Sequence, residues 1–102
     1  MAEPEYAGTM TLEFAHEPDA SRYTLRSDGA LIAVVDYTKN NGLISFTRAF
    51  TIPTERGKGN AARVVEFAVD AAERDGLKVI PMCWYVYDWF ATHPERAELL
   101  AR

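Results

Sequence analysis

Hydrophobic residues occupy alternate positions near the start of the chain. Met10, Leu12 and Phe14 alternate with Thr11, Glu13 and Ala15, the period of a strand with one buried face. Pro18 and Asp19 interrupt that pattern. Arg22-Tyr23-Thr24-Leu25-Arg26 then leads into Ser27-Asp28-Gly29, and Ala30 to Tyr37 follows as a longer apolar run. An Asp-Gly pair between two such runs predicts a hairpin, because the turn needs positive φ and glycine adopts it without a steric penalty. Asn40-Asn41-Gly42 repeats the signal before Leu43, Ile44, Phe46 and Phe50, on a strand that closes near Ile52-Pro53. The first half of the chain reads as an antiparallel meander.

Beyond Pro53 the period becomes helical. Ala61, Val64, Val65, Ala68 and Ala72 share one face, with Arg63, Glu66, Asp70, Glu73 and Arg74 on the others. Gly76 ends this helix, and Leu77 to Met82 is a short apolar strand. A strand–helix–strand crossover of this length favours parallel pairing, which makes the sheet mixed. Trp84 to Thr92 is expected to form a second helix that stops at His93-Pro94, since proline disfavours helical backbone in the residue before it. A turn over Glu95 to Leu100 follows. The expected fold class is α/β (α+β), a mixed, mostly antiparallel sheet in one domain spanning 1–102 with residues 1–8 flexible.

Composition narrows the function classes. With 102 residues, 48% hydrophobic and 25% charged, the chain can bury a core without metal or disulfide staples. A net charge of −4 weighs against non-specific nucleic-acid binding, which draws its affinity from clustered Lys and Arg. Cys83 is the single cysteine and only two histidines are present, so no disulfide and no metal site is expected. Met1 to Glu5 is acidic, and no apolar run approaches the length of a membrane span. The expectation is a cytoplasmic protein with no membrane or nucleic-acid partner, a monomer or weak homodimer.

The most informative segment is Arg56-Gly57-Lys58-Gly59-Asn60-Ala61, between a strand and the long helix. Unpaired N–H groups at a helix start attract anions, and glycines let a phosphate approach the backbone. The plain structural alternative is a tight turn with solvated cations. A Walker loop is excluded because Lys58 is followed by Gly59 rather than Ser or Thr. Gly57-x-Gly59-x-x-Ala62 matches a dinucleotide fingerprint formally, but Met82-Cys83 stands where an acid is needed and the chain is too short for two mononucleotide halves.

Arg56-x-x-Gly59-x-Ala61 resembles the Gln/Arg-x-x-Gly-x-Gly/Ala pyrophosphate signature of GNAT-superfamily N-acetyltransferases. Further segments resemble a small single-domain GNAT-like family: Arg22-Tyr23, Asp28-Gly29, Asp36-Tyr37, Ile44-x-Phe46-Thr47, Val79-Ile80-Pro81-Met82-Cys83 and His93-Pro94-Glu95. The sequence departs from that family at Arg48-Ala49, where a His-Thr pair is common, at Trp84-Tyr85, where Pro-Phe is common, and at Arg96, where a tyrosine is usual.

The resemblance implies a GNAT-like fold with a strand–helix–strand acyl-CoA-binding core. It implies acetyl-CoA as cofactor, with the pyrophosphate on the turn formed by Arg56, Gly57, Lys58, Gly59, Asn60 and Ala61 and the pantetheine arm along Phe50 and Thr51. It also implies transfer of acetyl to a primary amine, on a small molecule or on a protein lysine or N-terminus, by direct attack in a ternary complex. Cys83, Tyr85 and His93 are the candidate catalytic residues: a thiol or phenol to protonate the departing sulfur, or an acyl-accepting thiol, and an imidazole base. Each has a structural alternative: Cys83 as a small core residue, Tyr85 in helix packing, and His93 as a helix terminus. His16 reads as a surface-loop residue. The alternatives to an enzyme are a non-catalytic acyl-CoA-binding or regulatory module, and an interaction domain presenting Trp84, Trp89 and Phe90.

Overall fold

The computed structural model describes residues 11–101. Met10 and the expected flexible segment 1–8 lie outside the described residues. Five strands form one sheet in chain order: β1 (Leu12–Glu17), β2 (Arg22–Ser27), β3 (Ala30–Asn40), β4 (Leu43–Thr51) and β5 (Lys78–Pro81). The first four pair antiparallel and β5 lies parallel to β4. This is the mixed, mostly antiparallel arrangement that the turn signals and the helical crossover predict.

Both predicted hairpin turns adopt left-handed backbone at the two central residues, Asp28 and Gly29 with φ 50 and 86, and Asn41 and Gly42 with φ 54 and 81. Such turns match the twist of the strands they join. The first strand differs from its prediction. It runs on to Glu17, which places His16 in a strand rather than a loop, and its apolar face is only half covered because β1 is the sheet edge. Phe14 stacks on Phe67 with ring centroids 5.2 Å apart.

Helix α1 (Asn60–Arg74) crosses one face of the sheet, touching β2, β3, β4 and β5. Val64, Val65, Ala68, Val69 and Ala72 are buried there with Tyr23, Leu25, Val35, Ile44, Phe46 and Val79. Helix α2 (Trp84–Ala91) packs beside it through Val86, Trp89 and Phe90. Trp89 and Phe90 are therefore core residues, which removes them from any partner surface.

The feature that positions the site lies between β4 and β5. Their parallel ladder ends at Phe46↔Pro81, while β4 continues to Thr51. Pro81 has no N–H to donate. The chain then turns, Met82 donating to the Ile80 carbonyl at 3.0 Å and Cys83 to the Phe46 carbonyl at 3.0 Å, and enters α2. Beyond Phe46, β5 leaves that edge of β4 unpaired.

Candidate active site

A cavity of about 580 Å³ opens along that edge. Its walls come from three places: Ala49, Phe50 and Thr51 of β4, the turn from Glu55 to Ala61, and Trp84 and Tyr85 at the start of α2.

The turn begins with a short 3₁₀ segment, Pro53–Glu55, and ends at Gly59, which precedes α1 with φ 80 and ψ 11. Gly57 shares the left-handed backbone with φ 81. No side chain caps the N-terminus of α1, so its first amides are left to other acceptors. A Cβ built at Gly57 or Gly59 would meet no atom within 4 Å, so both glycines border open space. Asn60 is buried and braces the turn: its Nδ2 donates to the Glu55 carbonyl at 3.1 Å and its Oδ1 accepts from Arg63 at 2.8 Å. What Asn60 can offer a ligand is its backbone N–H, because its side chain is committed.

Two arginines flank the Phe50 ring, Arg48 with its guanidinium carbon 4.8 Å from the centroid and Arg56 at 5.8 Å. Arg56 Nε donates to the Thr51 carbonyl at 3.2 Å, which ties the turn to the end of β4. Arg48 pairs with Asp36 at 3.2 Å. Lys58 points elsewhere, pairing with Glu55 at 3.3 Å, and does not line the cavity.

Of the candidate catalytic residues, Tyr85 lines the cavity, and burial pushes its phenol above the ordinary value. Cys83 is half-buried against the core just before α2 and is not a lining residue. His93 lies apart, in a second concavity of about 240 Å³ bounded by Ala62, Trp84, Tyr85, Asp88, Trp89 and Thr92. Its ring stacks on Trp89 at 3.9 Å, and Nδ1 donates to the Trp89 carbonyl at 2.7 Å. A carbonyl can only accept, so Nδ1 carries the hydrogen and the neutral ring keeps its free lone pair on Nε2.

The structure thus gathers Phe50, Thr51, Arg56, Gly57, Gly59, Asn60, Ala61 and Tyr85 around one cavity and leaves Lys58, Cys83 and His93 off its wall. Ala49, Glu55 and Trp84 complete the lining and were not among the expected site residues. Trp84 carried a signal in the sequence, as an aromatic where Pro is common.

A mixed sheet whose last two strands part beside a glycine-bordered helix start makes this an α+β domain with the architecture expected of the GNAT-like fold. The model of the GCN5-related N-acetyl-transferase family matches residues 22–99, and the chain belongs to that family. No curated protein matches the chain.

Proposed function

We propose that this protein is an acetyl-CoA-dependent N-acetyltransferase acting on a primary amine by direct attack in a ternary complex. The observation that carries the reading is the turn before α1, where two left-handed glycines leave open space beside the uncapped first amides of the helix. A diphosphate fits that space, because the amides of Gly57 to Ala61 and the dipole of α1 favour an anion there. Arg56 flanks it, and the unpaired β4 edge offers the peptide groups of Ala49 and Thr51 to the amides of a pantetheine arm, those of Phe50 being turned towards β3.

The thioester supplies an activated acetyl carbon: the amine nitrogen bonds to it, the C–S bond breaks, and the thiolate takes up a proton as the amine loses one. Tyr85 lines the cavity and holds its proton at neutral pH, which supports it as the donor. The cavity walls hold the two reactants together, which for ideal alignment contributes ~7–11 kcal/mol. Direct attack asks for no acyl-accepting thiol, in keeping with a Cys83 that packs against the core rather than lining the cavity. His93, with its basic nitrogen free, serves as proton acceptor only if the amine reaches the neighbouring concavity.

A second reading, an acyl-CoA-binding module without turnover, draws on Arg48. It replaces the family's common histidine, is engaged by Asp36, and offers no base.

Titration calorimetry with CoA tests the cofactor assignment. Wild type is expected to bind, and Gly59→Val to lose that binding while melting as a folded protein, because its side chain would occupy the open space. Unchanged affinity would falsify the cradle. Release of free CoA thiol with a panel of amines then separates the enzyme from the binding module.

A further inference from the structure

We infer that the concavity between α1 and α2 is a purine-base site, with the Trp84 indole as the plate on which the adenine of the same cofactor stacks. The inference rests on the CoA reading above and extends it to residues outside the phosphate turn.

Trp84 is 73% exposed, unusual for the largest apolar side chain, and is the first residue of α2. It meets Tyr85 in a T-shaped contact, with centroids 5.7 Å apart and an interplanar angle of 78°, and is stacked face to face on no other ring among the described residues. It lines both concavities, standing on the boundary between them. Ala62, on the far wall of the second, follows directly from Ala61 in the first turn of α1. A groove that begins one residue from a diphosphate cradle and shares a wall with it is positioned for the group on the other side of the diphosphate, which in CoA is 3′-phosphoadenosine.

The chemistry of the groove fits a base better than another phosphate or an aliphatic chain. The stacked pair Trp89 and His93 forms an aromatic wall. Asp88 is exposed and makes no hydrogen bond or ion pair through its side chain among the described residues. Its carboxylate would accept from the exocyclic amine of adenine, and its charge favours a base there with the ribose 3′-phosphate of CoA turned away from it. Stacking on an aromatic plate needs only a flat π-face, which every nucleobase has.

Calorimetry on the full chain with two probes tests this: CoA, and 4′-phosphopantetheine, which lacks the adenosine end. Trp84→Ala is expected to weaken CoA by about tenfold and to leave 4′-phosphopantetheine unchanged. Trp84→Phe, which keeps an aromatic plate, should retain most of the CoA affinity. Adenosine 3′,5′-bisphosphate should quench the indole emission of wild type and not that of Trp84→Ala. Equal loss for both probes in Trp84→Ala overturns the assignment, because it places the indole on the arm or at the acceptor, and so does no loss for either. Wild type binding both probes equally tightly overturns the base site alone. Wild type binding neither overturns the CoA reading beneath it.

Discussion

Tyr85 stands at the start of α2, where burial penalises the phenolate and pushes its pKa above the ordinary 10.0, so the phenol is protonated throughout the neutral range. A group that departs as a thiolate needs such a donor close by. Tyr85→Phe removes the hydroxyl and little else, so kcat for amine acetylation is expected to fall on the order of 10²-fold while CoA affinity stays the same. Steady-state kinetics beside calorimetry checks the split; a parallel loss of affinity would make Tyr85 a wall residue only. His16 shows a different effect of burial. Its Nε2 lies 2.6 Å from the Tyr37 hydroxyl, and its ring stacks on Tyr23 at 4.3 Å. Burial lowers its pKa, Lys39 lowers it further, and Asp75 opposes them. With the folded value below the unfolded 6.5, the contribution to stability is present above that pH and lost as the pH falls through the lowered value. Urea midpoints between pH 7 and 5 should therefore decline more in wild type than in His16→Phe, which keeps the stack and cannot titrate.

At the scale of elements, what the chain encodes locally could be read from it and what it encodes at a distance could not. Asp28-Gly29 and Asn41-Gly42 demand left-handed backbone from two adjacent residues, a need visible in four letters of sequence. The stop of α1 is equally local. Gly76, with φ 72, donates to the Glu73 carbonyl at 3.1 Å, and Leu77 donates to the Ala72 carbonyl at 2.9 Å, the paired bonds of a Schellman motif. A Cβ at Gly76 would meet no neighbour, so Gly76→Ala isolates the backbone cost of left-handed φ, about 1 kcal/mol, and should lower the denaturation midpoint accordingly without touching CoA affinity. The placement of His16 was not legible, because its partners Tyr23 and Tyr37 come from the next two strands. Nor was the commitment of the Asn60 side chain to Glu55 and Arg63, or the turning of Lys58 towards Glu55. A motif names which residues crowd a turn, but rotamers and long-range contacts decide which of them face the ligand. Cys83 and His93 illustrate the same limit: both flank α2, yet the helix carries them away from the cavity wall that Tyr85 lines.

The molecule as a whole divides into a part that packs and a part that opens. β2, β3 and the first half of β4 are tied by ladders, each with one register shift, at Leu25/Arg26 and at Asp36/Tyr37, and are roofed by α1, whereas the second half of β4 has lost its β5 partner and α2 approaches from the side. A ligand seated there joins three elements that otherwise meet through few backbone bonds: the β4 edge, the turn before α1 and the first turn of α2. Binding to the folded state alone stabilises it by mass action, by about 2.7 kcal/mol at a hundredfold excess over Kd. The gain should not spread evenly, because local opening at an unpaired edge costs far less than global unfolding. Hydrogen exchange with and without CoA is expected to show new protection at Ala49, Thr51 and the amides of Gly57 to Ala61, the Phe50 amide already facing β3. The β1–β2 hairpin, on the opposite edge of the sheet, should change only as far as global stability does. Protection confined to that hairpin would place the ligand on the wrong side of the sheet, whereas protection at the turn without any at β4 would leave a phosphate site with no channel for the acyl arm.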